Sequence, residues 1–247
     1  MKTIRKLGDV LRCFTAEEPE HSVTALSRLT QNSVSGTHDL VDGMAAIGLL
    51  HKIQRGRYRL GPLVATLYHT LEDSSVLLGA ARPVMARLLA DHGETLHLTM
   101  HDHGRLLLVE AMDGSRPLNV SPTVIGPHLM LHEAPPGRLH LASFSPARLQ
   151  AWLDQHSRPG GAVISRERLV ADLQRIARDG FDSGPVGEDA DLMCLAARVL
   201  DHAGRAVAVL SMTVPEGRHA RQPRAFRSVT IEAAQQISVR LGYRAAL

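Results

Sequence analysis

The sequence predicts an α+β chain of two domains, a small basic helical one followed by a larger one in which strands and helices alternate. Three observations lead there. A length of 247 residues exceeds that of one typical domain. Residues 1 to 60 hold nine Lys and Arg against six acids, which accounts for the whole net charge of +3, and all three lysines precede residue 53. The hydrophobic period is helical up to Ile47, then alternates between strand-like and helical segments. A small basic module joined to a neutral one suits a polyanionic partner.

Composition narrows the class. With 44% hydrophobic and 21% charged residues the chain is of ordinary globular type. No apolar run reaches the length of a transmembrane helix, so no membrane partner is expected. The start Met-Lys-Thr-Ile-Arg-Lys lacks a signal-peptide core, so a cytoplasmic location is expected. Cys13 and Cys194 are too far apart in sequence for a Cys-x-x-Cys pair and are expected to be reduced and buried.

In the first domain, Ile4, Leu7, Val10, Leu11 and Phe14 sit at helical spacing, and the stretch Glu17 to Glu20 with Pro19 ends that helix. Ser22 caps a second helix that turns Leu26 and Leu29 inward. After Thr30-Gln31-Asn32, Ser33 caps a third, burying Thr37, Leu40, Val41, Met44 and Ile47 and presenting Ser35, Gly36, His38, Asp39 and Asp42. Gly36 and Gly43 each cost this helix about 1 kcal/mol relative to Ala. The run Leu49 to Leu60 reads as two short strands about an Arg55-Gly56 turn, with Lys52, Arg55, Arg57 and Arg59 crowded on it. Three helices and a basic hairpin in that order form a winged helix-turn-helix, in which one helix enters the major groove and the wing grips phosphates. A small helical domain with a solvated hairpin is the other reading of the same pattern.

Beyond it, Leu63 to Leu71 is short, apolar and helical in period, and Val76 to His92 is a longer helix with a bend expected near Pro83. Thr95 to His101 and Leu106 to Met112 read as strands about Asp102-His103-Gly104. Arg116 to Val120, Met193 to Leu200 and Ala206 to Val214 are further strands, the last two joined at Asp201-His202-Ala203-Gly204. Ser145-Pro146 opens a helix. Leu169, Leu173 and Ile176 mark another, and Phe226, Val229, Ile237 and Leu241 a last one.

Catalytic signatures are missing: there is no Gly-x-Ser-x-Gly, phosphate-binding Gly loop or His-Glu-x-x-His. His101-x-His103 lacks an evident third ligand in the sequence. Neither an enzyme, nor a metal, nor a cofactor is expected.

Several stretches resemble the isocitrate lyase regulator (IclR) family of bacterial transcription factors. They are Ser35-Gly36-Thr37-His38-Asp39-Leu40-Val41, Ile47-Gly48-Leu49-Leu50, Gly56 to Gly61, Gly93 to Leu98, Leu131 to Arg138, Cys194 to Val199 with Gly204, and Leu210 to Pro215. The resemblance implies a winged helix over residues 1-61, a linker helix over 62-75 and a GAF-like effector-binding and oligomerisation domain over 76-247. It also implies a homodimer or tetramer on a pseudo-palindromic double-stranded DNA operator, with a small organic acid as effector.

The DNA contacts it implies are Ser33, Ser35, Thr37 and His38 on the third helix and Lys52, Arg55, Arg57 and Arg59 on the wing, with Arg57 foremost. Where many relatives carry Lys and Arg, this chain has Val34 and Asp39, and Asp42 adds a second acid. A carboxylate can accept from cytosine N4, but a sensing protein that has lost operator recognition is the competing reading. The effector positions are Leu118, Ser121 and Leu129 on the walls, with Leu192, Cys194, Ser211 and Thr213 on strands. Loop amides that hold a carboxylate in relatives fall on Pro135 and Pro136, which have no N–H, and an acid of some relatives falls on Gly184. A wider pocket, open to an aromatic acid, is expected. His97 and His101 share one strand face, where a cationic imidazole could replace the missing amides, and simple packing or solvent exposure of the pair is the other reading.

Overall fold

The computed structural model describes residues 2–15, 17–102, 105–115, 131–156, 166–186 and 191–244, and its contacts divide the chain into two compact units, Met1–Ser75 and Val76–Leu247. Among the described residues no helix is long and apolar enough to cross a membrane.

In the first unit, α1 (Lys2–Leu11), α2 (Val23–Leu29) and α3 (Val34–Ala46) precede β2 (Leu50–Lys52), the 3-10 turn Gln54–Gly56 and β3 (Arg57–Leu60). A two-residue strand too short to announce itself in sequence, β1 (His21–Ser22), pairs with Tyr58 and Arg57, so the wing is a three-stranded sheet in the order β1-β3-β2. Both predicted caps form: Ser22 accepts from the Ala25 amide and Ser33 from the Gly36 amide. Val10, Leu26, Val41, Met44, Leu50 and Tyr58 make the core. Ile47 and Leu29, expected inward, are instead 58% and 57% exposed. Each lies at a helix end, where the chain turns away from the core: Ile47 is the C-cap of α3 and Leu29 the last residue of α2. α4 (Pro62–Ser74) follows Gly61, where a Cβ would collide with the Gly48 carbonyl.

The second unit opens with α5 (Val76–His92), a single helix that runs through Pro83. Among the described residues its sheet has five antiparallel strands in the order β5-β4-β8-β7-β6: β4 (Thr95–Asp102), β5 (Arg105–Met112), β6 (Phe181–Val186), β7 (Leu192–Leu200) and β8 (Ala206–Pro215). One face packs on α5 and on α10 (Pro223–Arg240) through Leu96, Leu98, Leu195, Val199, Leu210, Met212 and Val214. The other lies under α6 (Pro135–Ala142), α7 (Pro146–His156) and α8 (Arg166–Asp179), where Leu139, Trp152, Leu173 and Ile176 form a second apolar cluster with Ala196 and Val209. A short α9 (Glu216–His219) follows β8. The expected strand Arg116 to Val120, and His103-Gly104 of the first expected turn, lie outside the described residues. β6 and α6 were not foreseen.

Candidate functional site

Two surfaces gather the residues singled out above, one in each unit. On the first, α3 turns Val34, Ser35, His38, Asp39 and Asp42 to solvent. Thr37 is not among them. It is 1% exposed, and its hydroxyl donates to the Ser33 carbonyl at 2.9 Å, so it fastens the start of α3 and cannot meet a phosphate. The Ser33 hydroxyl caps the helix at 3.3 Å from the Gly36 amide. His38 Nδ1 stands 3.5 Å from Asp42 and 3.9 Å from Asp39, whose side chain is 82% exposed.

Asp42 also accepts a hydrogen bond from the Tyr58 hydroxyl at 2.9 Å, which ties the exposed helix to the wing. Burial first, and that bond second, raise the Tyr58 pKa. Lys52 lies 5.7 Å over the Tyr58 ring. Arg57 is held back towards the protein, donating to the Glu20 carbonyl at 2.9 Å with its Nε 3.7 Å from the Glu20 carboxylate. Arg59 points outward on the same strand, and Arg55 falls in the 3-10 turn. The surface is therefore a capped helix start with two acids beside a cationic wing.

In the second unit, strand alternation builds a polar floor on the face beneath α6. His97 on β4 lies opposite Ser211 on β8, Thr95 opposite Thr213, and Thr213 in turn opposite Cys194 on β7. All are buried, with His97 4% exposed and Ser211, Thr213 and Cys194 at 0%. His97 Nδ1, Ser211 Oγ and Thr213 Oγ1 have no hydrogen-bond partner among the described residues. Buried polar atoms are nearly always satisfied, so three without a partner among the described residues on one face make this floor the candidate site. Burial lowers the His97 pKa to about 4, with Asp113 opposing, so the imidazole is neutral at pH 7. Burial pushes the Cys194 thiol up to about 12, against the nearby Ser211 and Thr213 hydroxyls, which make no well-directed bond to it, and Arg138. Cys194 is thus an inert wall.

The rim of this floor comes from residues the sequence reading had not singled out. Arg138 on α6 donates through Nε to Asp182 of β6 at 2.6 Å, and Arg175 of α8 lies 3.5 Å from the same carboxylate, itself 2% exposed. His140 Nε2 and Thr99 Oγ1 are 3.3 Å apart, and burial lowers the His140 pKa to about 4, helped by His101. Pro135 and Pro136 occupy the first turn of α6 behind Ala134, so that turn offers few amides.

Gly184 does not widen the pocket as expected, since a Cβ there would lie 3.0 Å from Arg138 Nη2: the guanidinium occupies that space. Leu192 is buried at the start of β7. His101 faces Arg148, whose Nη2 donates to its Nδ1 at 3.1 Å. Leu118, Ser121 and Leu129 lie outside the described residues. The pairing of β6 with β7, the next strand in the chain, brings Asp182 to the floor, and its contact with Arg138, 44 positions away, is one that no local signal announces.

Residues 69–239 match the family model for the bacterial transcriptional regulator IclR C-terminal domain. The chain is 24% identical to the HTH-type transcriptional regulator XynR of Escherichia coli K12, over 99% of both chains. It superposes with a TM-score of 0.79 on an IclR homologue from Microbacterium hydrocarbonoxydans, crystallised with 4-hydroxybenzoate, at 25% identity and with 97% and 98% of the two chains covered. A protein assigned to the IclR type from Silicibacter sp. TM1040 shares the fold with a TM-score of 0.85 at 23% identity, over 99% and 98% of the chains.

Proposed function

The chain belongs to the IclR family of bacterial transcriptional regulators, and from that premise we propose that it binds a pseudo-palindromic operator as a dimer or tetramer and senses a small organic acid. The carrying observation is the buried floor of polar atoms at His97, Ser211 and Thr213, unpaired among the described residues, which has the chemistry of an effector site. Two hydroxyls can each donate to a carboxylate oxygen. An aromatic monocarboxylate is the first class to test, because a protein of the same architecture holds 4-hydroxybenzoate. Arg138 beside Gly184 limits the size of ring admitted at that end.

At the DNA, Ser35, His38 and Asp39 would face the major groove, and Lys52, Arg55 and Arg59 the phosphates, with Arg57 contributing through its exposed half. Such a regulator works in the cytoplasm. Gel-shift titration against duplex from the gene's own upstream region should give a complex that weakens steeply with salt, and Arg59→Ala should lower the salt slope by about 1. A folded oligomer that shifts no duplex at low salt would leave the rival reading, a sensor without an operator, which the acids Asp39 and Asp42 on α3 favour. Thermal-shift measurements with 4-hydroxybenzoate and short aliphatic acids test the second half of the proposal.

A further inference from the structure

The floor beneath α6 has to hold an anion without the usual means. Its helix start is Pro135-Pro136, its guanidinium at Arg138 is engaged by Asp182, and its thiol stays protonated. A carboxylate buried there without a countercharge would be heavily penalised. His97 is the group placed to answer it. It is the third residue of β4, directly across from Ser211, and Nδ1 has no partner among the described residues.

Resting on the acid-sensing reading above, we propose that the site takes up its carboxylate together with one proton from solvent, shared between the ligand and His97 Nδ1, so that the buried pair is neutral overall. The free imidazole is uncharged at neutral pH. A carboxylate brought against it raises its proton affinity, and the same carboxylate is in turn easier to bury.

The other charged and titratable groups around His97 leave this role to it. On its own strand His101 bonds Arg148. Asp113, just after β5, is exposed and favours the protonated ring. Cys194 on β7 remains a thiol, and Asp182 on β6 is held by Arg138 and Arg175. His140 on α6 pairs with Thr99, Glu94 before β4 is held by Arg218 of α9, and Glu110 of β5 bonds Arg82 of α5.

Isothermal titration of the full chain with 4-hydroxybenzoate, in phosphate and in Tris at each pH from 6 to 8, tests this directly. The two buffers should differ in apparent heat by an amount corresponding to uptake of about one proton, and Kd should weaken about tenfold per pH unit. His97→Asn, which keeps a hydrogen-bonding group near Nδ1, should abolish both the uptake and the slope, while Ser211→Ala should weaken binding and keep them. Buffer-independent heats with a flat Kd in the wild-type protein would overturn the inference and leave the acid-sensing reading standing, as would proton uptake that persists in His97→Asn. Failure of this acid and of the aliphatic acids to bind at all would remove the acid-sensing reading and this inference with it.

Discussion

Leu210 and Ser211 are neighbours on β8, both with 0% exposure, yet one peptide bond separates two opposite environments. Leu210 lies in a continuous apolar layer with Leu98, Met212, Ala233 and Ile237, closed by α5 and α10. Ser211 lies among His97, Thr213 and Cys194, where hydroxyl and imidazole atoms are buried without partners among the described residues. An unsatisfied buried polar group costs about 1–3 kcal/mol. One face of the sheet is apolar along its length, whereas the other joins an apolar cluster at Ala196 and Val209 to this polar patch, and the period of two in a strand allows both from the same strands. A slip of one residue in register would exchange the two chemistries, so the apolar layer also fixes the position of the site.

The widest difference between the faces should appear with pH. Burial holds His97 and His140 near pH 4, below the 6.5 of an unfolded histidine. Between those values the unfolded chain binds protons that the folded chain refuses, so stability is full above pH 6.5 and falls until pH 4. Each histidine contributes about 3 kcal/mol to that loss, some 6 kcal/mol together. Urea unfolding across pH 4 to 7 measures it, and a double replacement by Asn should flatten the profile; an unchanged profile would assign acid sensitivity to other groups.

Next in size, Arg138→Met should cost about 4 kcal/mol, because it strips a buried carboxylate of its closest countercharge. Replacing Asp182 by Asn in the same protein should recover part of the loss, and a denaturant series on both variants tests the coupling. On the apolar face, Leu210→Ala should cost about 3 kcal/mol through lost burial and a residual cavity. The smallest effect sharpens the contrast most. Ser211→Ala, one residue away and equally buried, should change stability by less than about 1 kcal/mol and in the stabilising direction, since it removes a buried hydroxyl that has no partner among the described residues. A large destabilisation there would make Ser211 part of the core and undo the distinction between the faces.

Much of the fold was legible because its signals are local. Ser22 and Ser33 as caps, the helices on Leu169, Leu173 and Ile176 and on Phe226 and Ile237, and the strands around Asp201 to Gly204 all follow from side-chain period and turn chemistry within a few residues. β6 was missed because Phe181-Asp182-Ser183-Gly184-Pro185-Val186 contains two strand breakers. It survives at the sheet edge, where Pro185 need not donate to a neighbour. α6 was missed because it begins Pro-Pro-Gly behind Ala134, without a capping side chain. Gly137 is required there because a Cβ would strike the Leu131 carbonyl, a contact no sequence pattern announces.

The candidate sites divide the same way. That Ser211 and Thr213 share one face of their strand was readable from alternation, and their candidate role only from the family resemblance, whereas the inward turn of Thr37, the tether of Arg57 to Glu20 and the pairing of Arg138 with Asp182 were not readable at all. By itself the sequence determined that a basic winged module precedes a mixed sheet domain, and that an acidic α3 faces outward. Only the tertiary structure decided that Arg138 fills the space at Gly184 and that three polar atoms on one sheet face find no partner among the described residues. Periodicity is set by the geometry of neighbouring residues, but whether a buried polar atom finds a partner depends on strands and helices brought together from distant parts of the chain.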